Sequence, residues 1–174
     1  MSTTETKTAI PTGTWTADVV HSAVGFEVQY MGIAAFSGAV TDFEATLADG
    51  RLSGAARIAS LATKDENLDA HLGSPEFFDA ERFPEVSFAT TGDGTVEFEG
   101  EITIKGVTRP TTLTGTIVGP VSDPYGNERY GFKLETTVDR TQFGILWNSQ
   151  MPDGSQALAD EVTLRADLSL VKAA

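Results

Sequence analysis

Cysteine is absent from the chain. Disulfides, thiolate nucleophiles and cysteine-ligated zinc or iron–sulfur centres are therefore excluded. Histidine is scarce, with only His21 and His71. Basic residues number 12 against 25 acidic ones, giving a net charge of −13 with no basic run. A surface of that sign repels phosphate backbones and anionic lipid, so nucleic acid and a membrane surface are poor first partners. Uninterrupted apolar stretches of spanning length are missing too, so no membrane insertion is expected. The motifs GxSxG, HExxH, GxGxxG and the P-loop do not occur. The first residues, MSTTETKTAIPT, lack the basic-then-apolar order of a signal peptide. They read as a disordered lead over residues 1–12, and a cytoplasmic location is the expectation.

What remains is the composition of one folded domain: 174 residues, 40% apolar, long enough to bury a sizeable core. The dominant pattern over residues 13–172 has period two. In HSAVGFEVQY, Val24, Phe26, Val28 and Tyr30 alternate with Glu27 and Gln29. TVEFEGEITI sets Val96, Phe98, Ile102 and Ile104 against Glu97, Glu99 and Glu101. RYGFKLETTVDR and EVTLRADLSL repeat the pattern with Phe132, Leu134, Val138 and with Val162, Leu164, Leu168. Such alternation means antiparallel strands with one dry and one wet face.

With the shorter segments the total is about eight strands, the count of a sandwich or a small barrel. Asp49-Gly50, Asp93-Gly94, Lys105-Gly106, Asp123-Pro124-Tyr125-Gly126 and Pro152-Asp153-Gly154 supply turns between them. The apolar parity slips between Phe36, Val40 and Phe43, Leu47, which predicts a bulge and a bend near Thr41-Asp42. Small residues (Gly38, Ala45, Gly54, Ala56, Gly100, Gly115, Ala166) are interleaved with large ones on the inward face. They let a barrel either pack solid or leave room for one small ligand.

Strand patterning stops between about residues 65 and 82, in TKDENLDAHLGSPEFFDAERF. Thr63 is the expected cap of a first short helix, and Ser74 with Pro75 opens an expected second one. Phe77, Phe78 and Phe83 make the second piece apolar, as suits a cover over one end of a barrel. His71 beside Asp69 and Glu76 raises the alternative of an enzyme acting on a hydrophobic substrate through His21 or His71. A third alternative is a ligand-free structural barrel acting through a protein partner. The histidines show no HxH or HxxxH spacing, so neither a catalytic set nor a metal site is expected. Lys105 and Arg109 read as a solvated hairpin turn.

The ordered set GTWTADVVHSAVGFEV, LATKDENLDAHLGSPEFFDAERFPEVSF, GEITIKGVTRPTTL, DRTQFGILWN and LADEVTLRADLSL resembles the YceI-like family of polyisoprenoid-binding proteins. The resemblance implies a mainly β fold: an extended, eight-stranded antiparallel, lipocalin-like barrel with a short helical segment over one end. It implies binding, storage or transport of a long-chain isoprenoid or similar amphiphilic lipid, with no catalysis and no cofactor beyond a bound isoprenoid or quinone-like lipid. Dimers occur in the family, so a homodimer is a further expectation.

The chain departs from the family pattern at three positions and in the second strand, where AFSGAV stands in place of a segment with basic residues. Leu68 and Gly73 stand where basic residues flank the His-Leu of the helix, and Gln142 replaces the acid of the late Arg-x-Asp-Phe-Gly. If those cations serve an anionic head group in relatives, their loss points toward a neutral ligand or a different lipid. The alternative is that they are surface positions with no bearing on binding. The expected bore, of about 300–1,000 Å³ as is typical of ligand pockets, is lined by Val24, Phe26, Val28, Phe36, Phe43, Phe88, Phe98, Ile102, Phe132, Leu134, Leu164 and Leu168. Phe77, Phe78 and His71 are expected at the covered end.

Overall fold

The computed structural model describes residues 10–90 and 97–173. Residues 1–9 of the expected lead, the Asp93-Gly94 turn and Val96 lie outside the described residues. Strands run β1 (Thr14–Ala17), β2 (Ala23–Tyr30), β3 (Ala34–Val40), β4 (Phe43–Ala48), β5 (Arg51–Arg57) and β6 (Leu61–Ala62). One helix, α1 (Glu66–Leu72), precedes β7 (Glu85–Thr90), β8 (Glu97–Ile104), β9 (Val107–Ser122), β10 (Glu128–Asp139) and β11 (Leu158–Lys172). All pairings are antiparallel, and β1-β4-β5-β7-β8-β9-β10-β11 closes on itself through β1–β11.

The fold is thus a closed antiparallel barrel of eight strands, mainly β, with one short helix. Eleven segments make eight strands because three of them bend. β11 pairs on one edge with β10, and on the other with β1 at Leu170 to Lys172 and with β2 from Leu158 to Asp167. β1 and β2 are two halves of one strand, interrupted by a short 3-10 turn at Val19–His21. β3 and β4 are likewise one strand, broken at Thr41-Asp42, where the parity slip predicts a bend. There the Asp42 N–H donates to Ser60 Oγ, and the Arg57 N–H donates to the Asp42 carbonyl. This bend is pinned to the 3-10 turn Ile58–Ser60 that separates β5 from β6.

Beyond residue 57 the wall divides. β5 pairs with β7 up to Arg57↔Glu85, whereas β6 follows β3. Residues 63–84 fill the interval between β6 and β7. Asp65, not Thr63, caps α1, accepting from the N–H groups of Asn67 and Leu68. Thr63 turns instead to Asp69, whose carboxylate accepts from both its N–H and its hydroxyl at 2.6 Å. The expected second helix is a run of tight turns. Ser74 Oγ donates back to the His71 carbonyl, while the Phe77 and Asp79 N–H groups both donate to the Ser74 carbonyl. Asp79 sits at φ 52°, a left-handed value that breaks helical continuation.

Lys105 is not merely solvated: its Nζ donates to the Pro75 carbonyl at 2.8 Å and ties the β8–β9 turn to this segment. Residues 10–12, expected within a disordered lead, lie against the barrel. Pro11 is buried, Ile10 packs beside Trp15, and Trp15 Nε1 donates to the Thr12 carbonyl.

Two apolar clusters occupy the interior. One, built on Trp15, Leu47, Phe98, Phe132 and Leu170, fills the β1 end. The other, with Val28, Leu61, Leu72, Phe77, Ile104, Phe143 and Leu158, lies at the α1 end.

At the solid end Arg129 joins two loops, with its guanidinium 3.0 Å from Asp18 and 2.8 Å from Asp123. Hydrogen bonds from His21 and then Arg129 hold the Asp18 carboxyl down to about 2, and Arg129 does the same for Asp123. Both values lie below the ordinary 3.8, so the folded state is favoured by ionised carboxylates.

Two outcomes follow from this architecture. Thermal stability of the native chain should be complete above about pH 4 and fall as pH drops toward 2, with a smaller fall in Arg129→Gln, as scanning calorimetry can measure. A Cβ at Gly100 would lie 2.3 Å from the Ala89 carbonyl oxygen, with the Phe88 ring also in contact. Gly100→Ala should therefore cost about 1–3 kcal/mol in urea unfolding, the usual range for overpacking.

Candidate ligand-binding cavity

The cavity arises where strand bending separates the walls faster than side chains can fill the space. Its volume is about 200 Å³, smaller than the 300–1,000 Å³ expected from typical ligand pockets. The bore does not run the full barrel, because the cluster around Trp15 and Phe132 closes one half.

From the β2–β3 hairpin come Val24, Phe26, Val28 and Phe36. From β4 and β7 come Phe43 and Phe88, and from β8, β10 and β11 come Ile102, Leu134, Leu164 and Leu168. Phe77 and Phe78 close the α1 side. Twelve of the fifteen expected positions thus border one space. Ala45, Gly54, Ala56 and Ala166 border it as well, and their missing bulk is part of the room. Other small residues serve packing instead: Gly38 lies beneath the Phe26 ring and Gly100 beneath Phe88.

Three expected positions fall elsewhere. Phe98 and Phe132 are fully buried in the solid cluster, their ring centroids 5.9 Å apart. They share inward parity with the lining residues but sit further along their strands, where facing side chains meet. His71 stands outside the cavity. Its Nε2 is 2.5 Å from Glu76 Oε2, and its ring edge meets Phe77 and Trp147 at centroid distances of 4.9 and 4.8 Å. His21 lies at the β1–β2 bend, largely exposed, 2.7 Å from Asp18. His21 thus belongs to the turn after β1 and His71 to α1. Among the described residues no group of three His, Cys, Asp or Glu could hold a metal ion.

Two buried polar side chains border the cavity, Thr136 and Arg140. Thr136 Oγ1 is 2.7 Å from Thr111 Oγ1. Arg140, only 4% exposed, was not foreseen. Its Nε donates to the Ala159 carbonyl, Nη1 to those of Ile145 and Trp147, and Nη2 more weakly to that of Leu158. Burial pushes its pKa down, and Asp160 and Asp139 oppose that shift. One guanidinium therefore fastens residues 145–147 and the start of β11 over the cavity. A lone arginine between a strand and FGILW was its only trace in the sequence.

The departures from the family pattern also have places. Leu68 packs against the apolar cluster at the α1 end, and Gly73 ends α1 by donating to the Asp69 carbonyl. Gln142 is exposed, and its carbonyl accepts from Arg109.

Arg140→Met should deprive the buried Ile145 carbonyl and the part-buried Trp147 and Ala159 carbonyls of their guanidinium donor. Each one left unsatisfied costs about 1–3 kcal/mol, while Leu158 keeps its bond from Asn148. Unfolding by urea should show a loss of about 3 kcal/mol or more, and Trp147 emission should shift red as its segment loosens.

Comparison with known proteins agrees with this geometry. Residues 15–170 match the YceI-like domain. A UPF0312 protein of Pseudomonas putida is 31% identical over 137 residues, covering 72% of this chain and 71% of its own. Another, from Vibrio parahaemolyticus, is 31% identical over 155 residues, covering 79% and 82%. The Campylobacter jejuni YCEI protein superposes with a TM-score of 0.70 at 22% identity, over 82% of this chain and 88% of the other. A polyisoprenoid-binding domain from Saccharophagus degradans, implicated in plant cell wall breakdown, gives a TM-score of 0.66 at 8% identity over 91% and 98%. At such identities the structures speak for the fold. Closed barrel, half-hollow interior and matched domain together place this chain in the YceI-like family.

Proposed function

We propose that this chain binds a long-chain isoprenoid or similar amphiphilic lipid in its half-barrel cavity and stores or carries it without chemical change. The observation that carries this reading is a cavity bounded almost wholly by apolar side chains, whose two buried polar neighbours are already hydrogen-bonded. The binding of polyisoprenoid by a structurally similar domain supports the same ligand class.

Burying a methylene is worth about 0.8 kcal/mol, so a five-carbon isoprene unit contributes roughly 3–4 kcal/mol gross. Ordering a flexible tail offsets much of that gain. A space of about 200 Å³ favours a slender tail over a fused-ring ligand. Head-group choice follows from charge. Arg140 is spent on carbonyls, while exposed Arg165 at the cavity margin pairs with Glu27 and Glu135. With Leu68 and Gly73 in place of family cations, a neutral head such as a free prenol or a quinone fits better than a phosphate. An enzymatic role through His21 or His71 draws no support, since neither borders the cavity.

Native mass spectrometry with organic extraction should find a copurified long-chain lipid, and added prenol should raise the melting temperature. Leu164→Trp combined with Ala56→Phe should fill the cavity. Prenol affinity should then fall about tenfold or more, equivalent to 1.4 kcal/mol, with the melting temperature of the unliganded protein little changed. A native protein that gains no stability from any prenol or quinone would count against the proposal.

A further inference from the structure

The net charge of −13 averages over a surface that is not uniform. Two segments carry no charged residue at all: residues 28–41 and residues 141–152. The fold places them side by side. The Met31 N–H donates to the Ala157 carbonyl at 2.6 Å, and the Ala157 N–H donates to the Ser149 carbonyl at 2.8 Å. The turn between β2 and β3 and residues 141–152 of the loop before β11 therefore form one largely uncharged shoulder, with exposed Asp153 at its rim. Large apolar side chains stand out from it: Ile33 is 85% exposed, Leu146 67%, and Tyr30 and Met31 each 40%.

This shoulder is continuous with the cavity. The Tyr30 ring stacks edge-on against Phe36 at 6.3 Å, and Phe36 stacks against Phe26 at 6.0 Å. Phe36 and Phe26 are both lining residues. Leu146 follows buried Ile145, another lining residue, in the segment that Arg140 fastens. An aromatic path thus leads from the exposed tip to the interior. The other exposed apolar group, around Val20 and Tyr125, instead flanks the ionised Arg129–Asp18–Asp123 clamp and has no such path.

We infer that the shoulder formed by Tyr30, Met31, Ile33 and Leu146 docks shallowly on an uncharged or zwitterionic lipid bilayer and is the portal through which the lipid passes. The inference rests on the lipid-binding reading above and adds where the ligand is exchanged. Apolar and aromatic side chains on a projecting turn partition into the headgroup boundary by burying apolar area, with no basic residues required. Local neutrality permits this approach, while the acidic remainder of the surface opposes anionic lipid. The acid-rich protein should accordingly prefer phosphatidylcholine to mixtures containing phosphatidylglycerol, the reverse of a polybasic peripheral protein.

The test is co-sedimentation of the full chain with phosphatidylcholine vesicles, beside prenol loading from detergent and prenol extraction from doped vesicles. The native chain should bind the vesicles, and adding phosphatidylglycerol should weaken binding. Ile33→Asp and Leu146→Asp should each reduce vesicle binding and extraction about tenfold or more, with detergent loading intact. The cavity-filled variant should show the opposite pattern, docking normally and loading poorly. Normal loading from detergent without vesicle binding would overturn the portal alone, whereas failure to load prenol by any route counts against the ligand reading. Equal binding by the aspartate variants, or binding that rises with phosphatidylglycerol, would also overturn it. So would a dimer formed along the unpaired stretch of β3 (which meets β6 only at Ala39 and Val40) if Ile33→Asp dissolved that dimer and vesicles bound neither form.

Discussion

The constraint on which the rest depends is the shared edge of β11. Its fifteen residues offer one edge to β10, and divide the other between β1 and β2. A single straight strand could not follow that edge, so the first strand breaks at residues 18–22. The next strand breaks at 41–42, and the one after at 58–60. Each bend is hydrogen-bonded to its neighbour, as Asp42 is to Ser60 and to Arg57. Three aligned bends turn one half of the barrel away from the other. The ring closes with eight strands at one end and parts between β6 and β7 at the other.

Interior packing follows from that division. Where the ring is closed, facing side chains meet and Phe98, Phe132, Leu47 and Leu170 exclude all solvent. Where the wall parts, side chains of similar size no longer reach one another. Ala45, Ala56 and Ala166 widen the gap, and a cavity remains. A solid core and a roomy bore, alternatives at the level of sequence, are successive parts of one axis. The segment between β6 and β7 then completes the wall, with Leu72, Phe77 and Phe78 supplying its apolar face.

Polar groups near the cavity are arranged to be satisfied among themselves. Arg140 answers carbonyls of two converging segments, and Thr136 pairs with Thr111 across strands. In a low-dielectric interior an unpaired donor is costly, so such saturation stabilises the fold. It also leaves the cavity few polar handles. Shape and apolar area are then the main features the cavity offers, which is the basis of the proposed hydrocarbon-tail ligand.

Local pattern alone determined the strands, since period-two alternation reports which face of each strand is dry. It also located the bend at Thr41-Asp42, because an inserted residue inverts parity, and it marked the Asp49-Gly50 and Lys105-Gly106 turns. Twelve lining residues were legible for the same reason, as inward parity is written in the sequence. Depth along the barrel is not: Phe98 and Ile102 lie on one face of one strand, yet only Ile102 reaches the cavity. That distinction depends on which strands converge opposite each position. Equally, His71 stood beside acids in sequence but faces Phe77 and Trp147 outside the bore, and Arg140 gained its role only when β11 brought Leu158 and Ala159 to it. Tertiary structure decided these because contacts between distant segments depend on strand register and bending, which no local periodicity encodes.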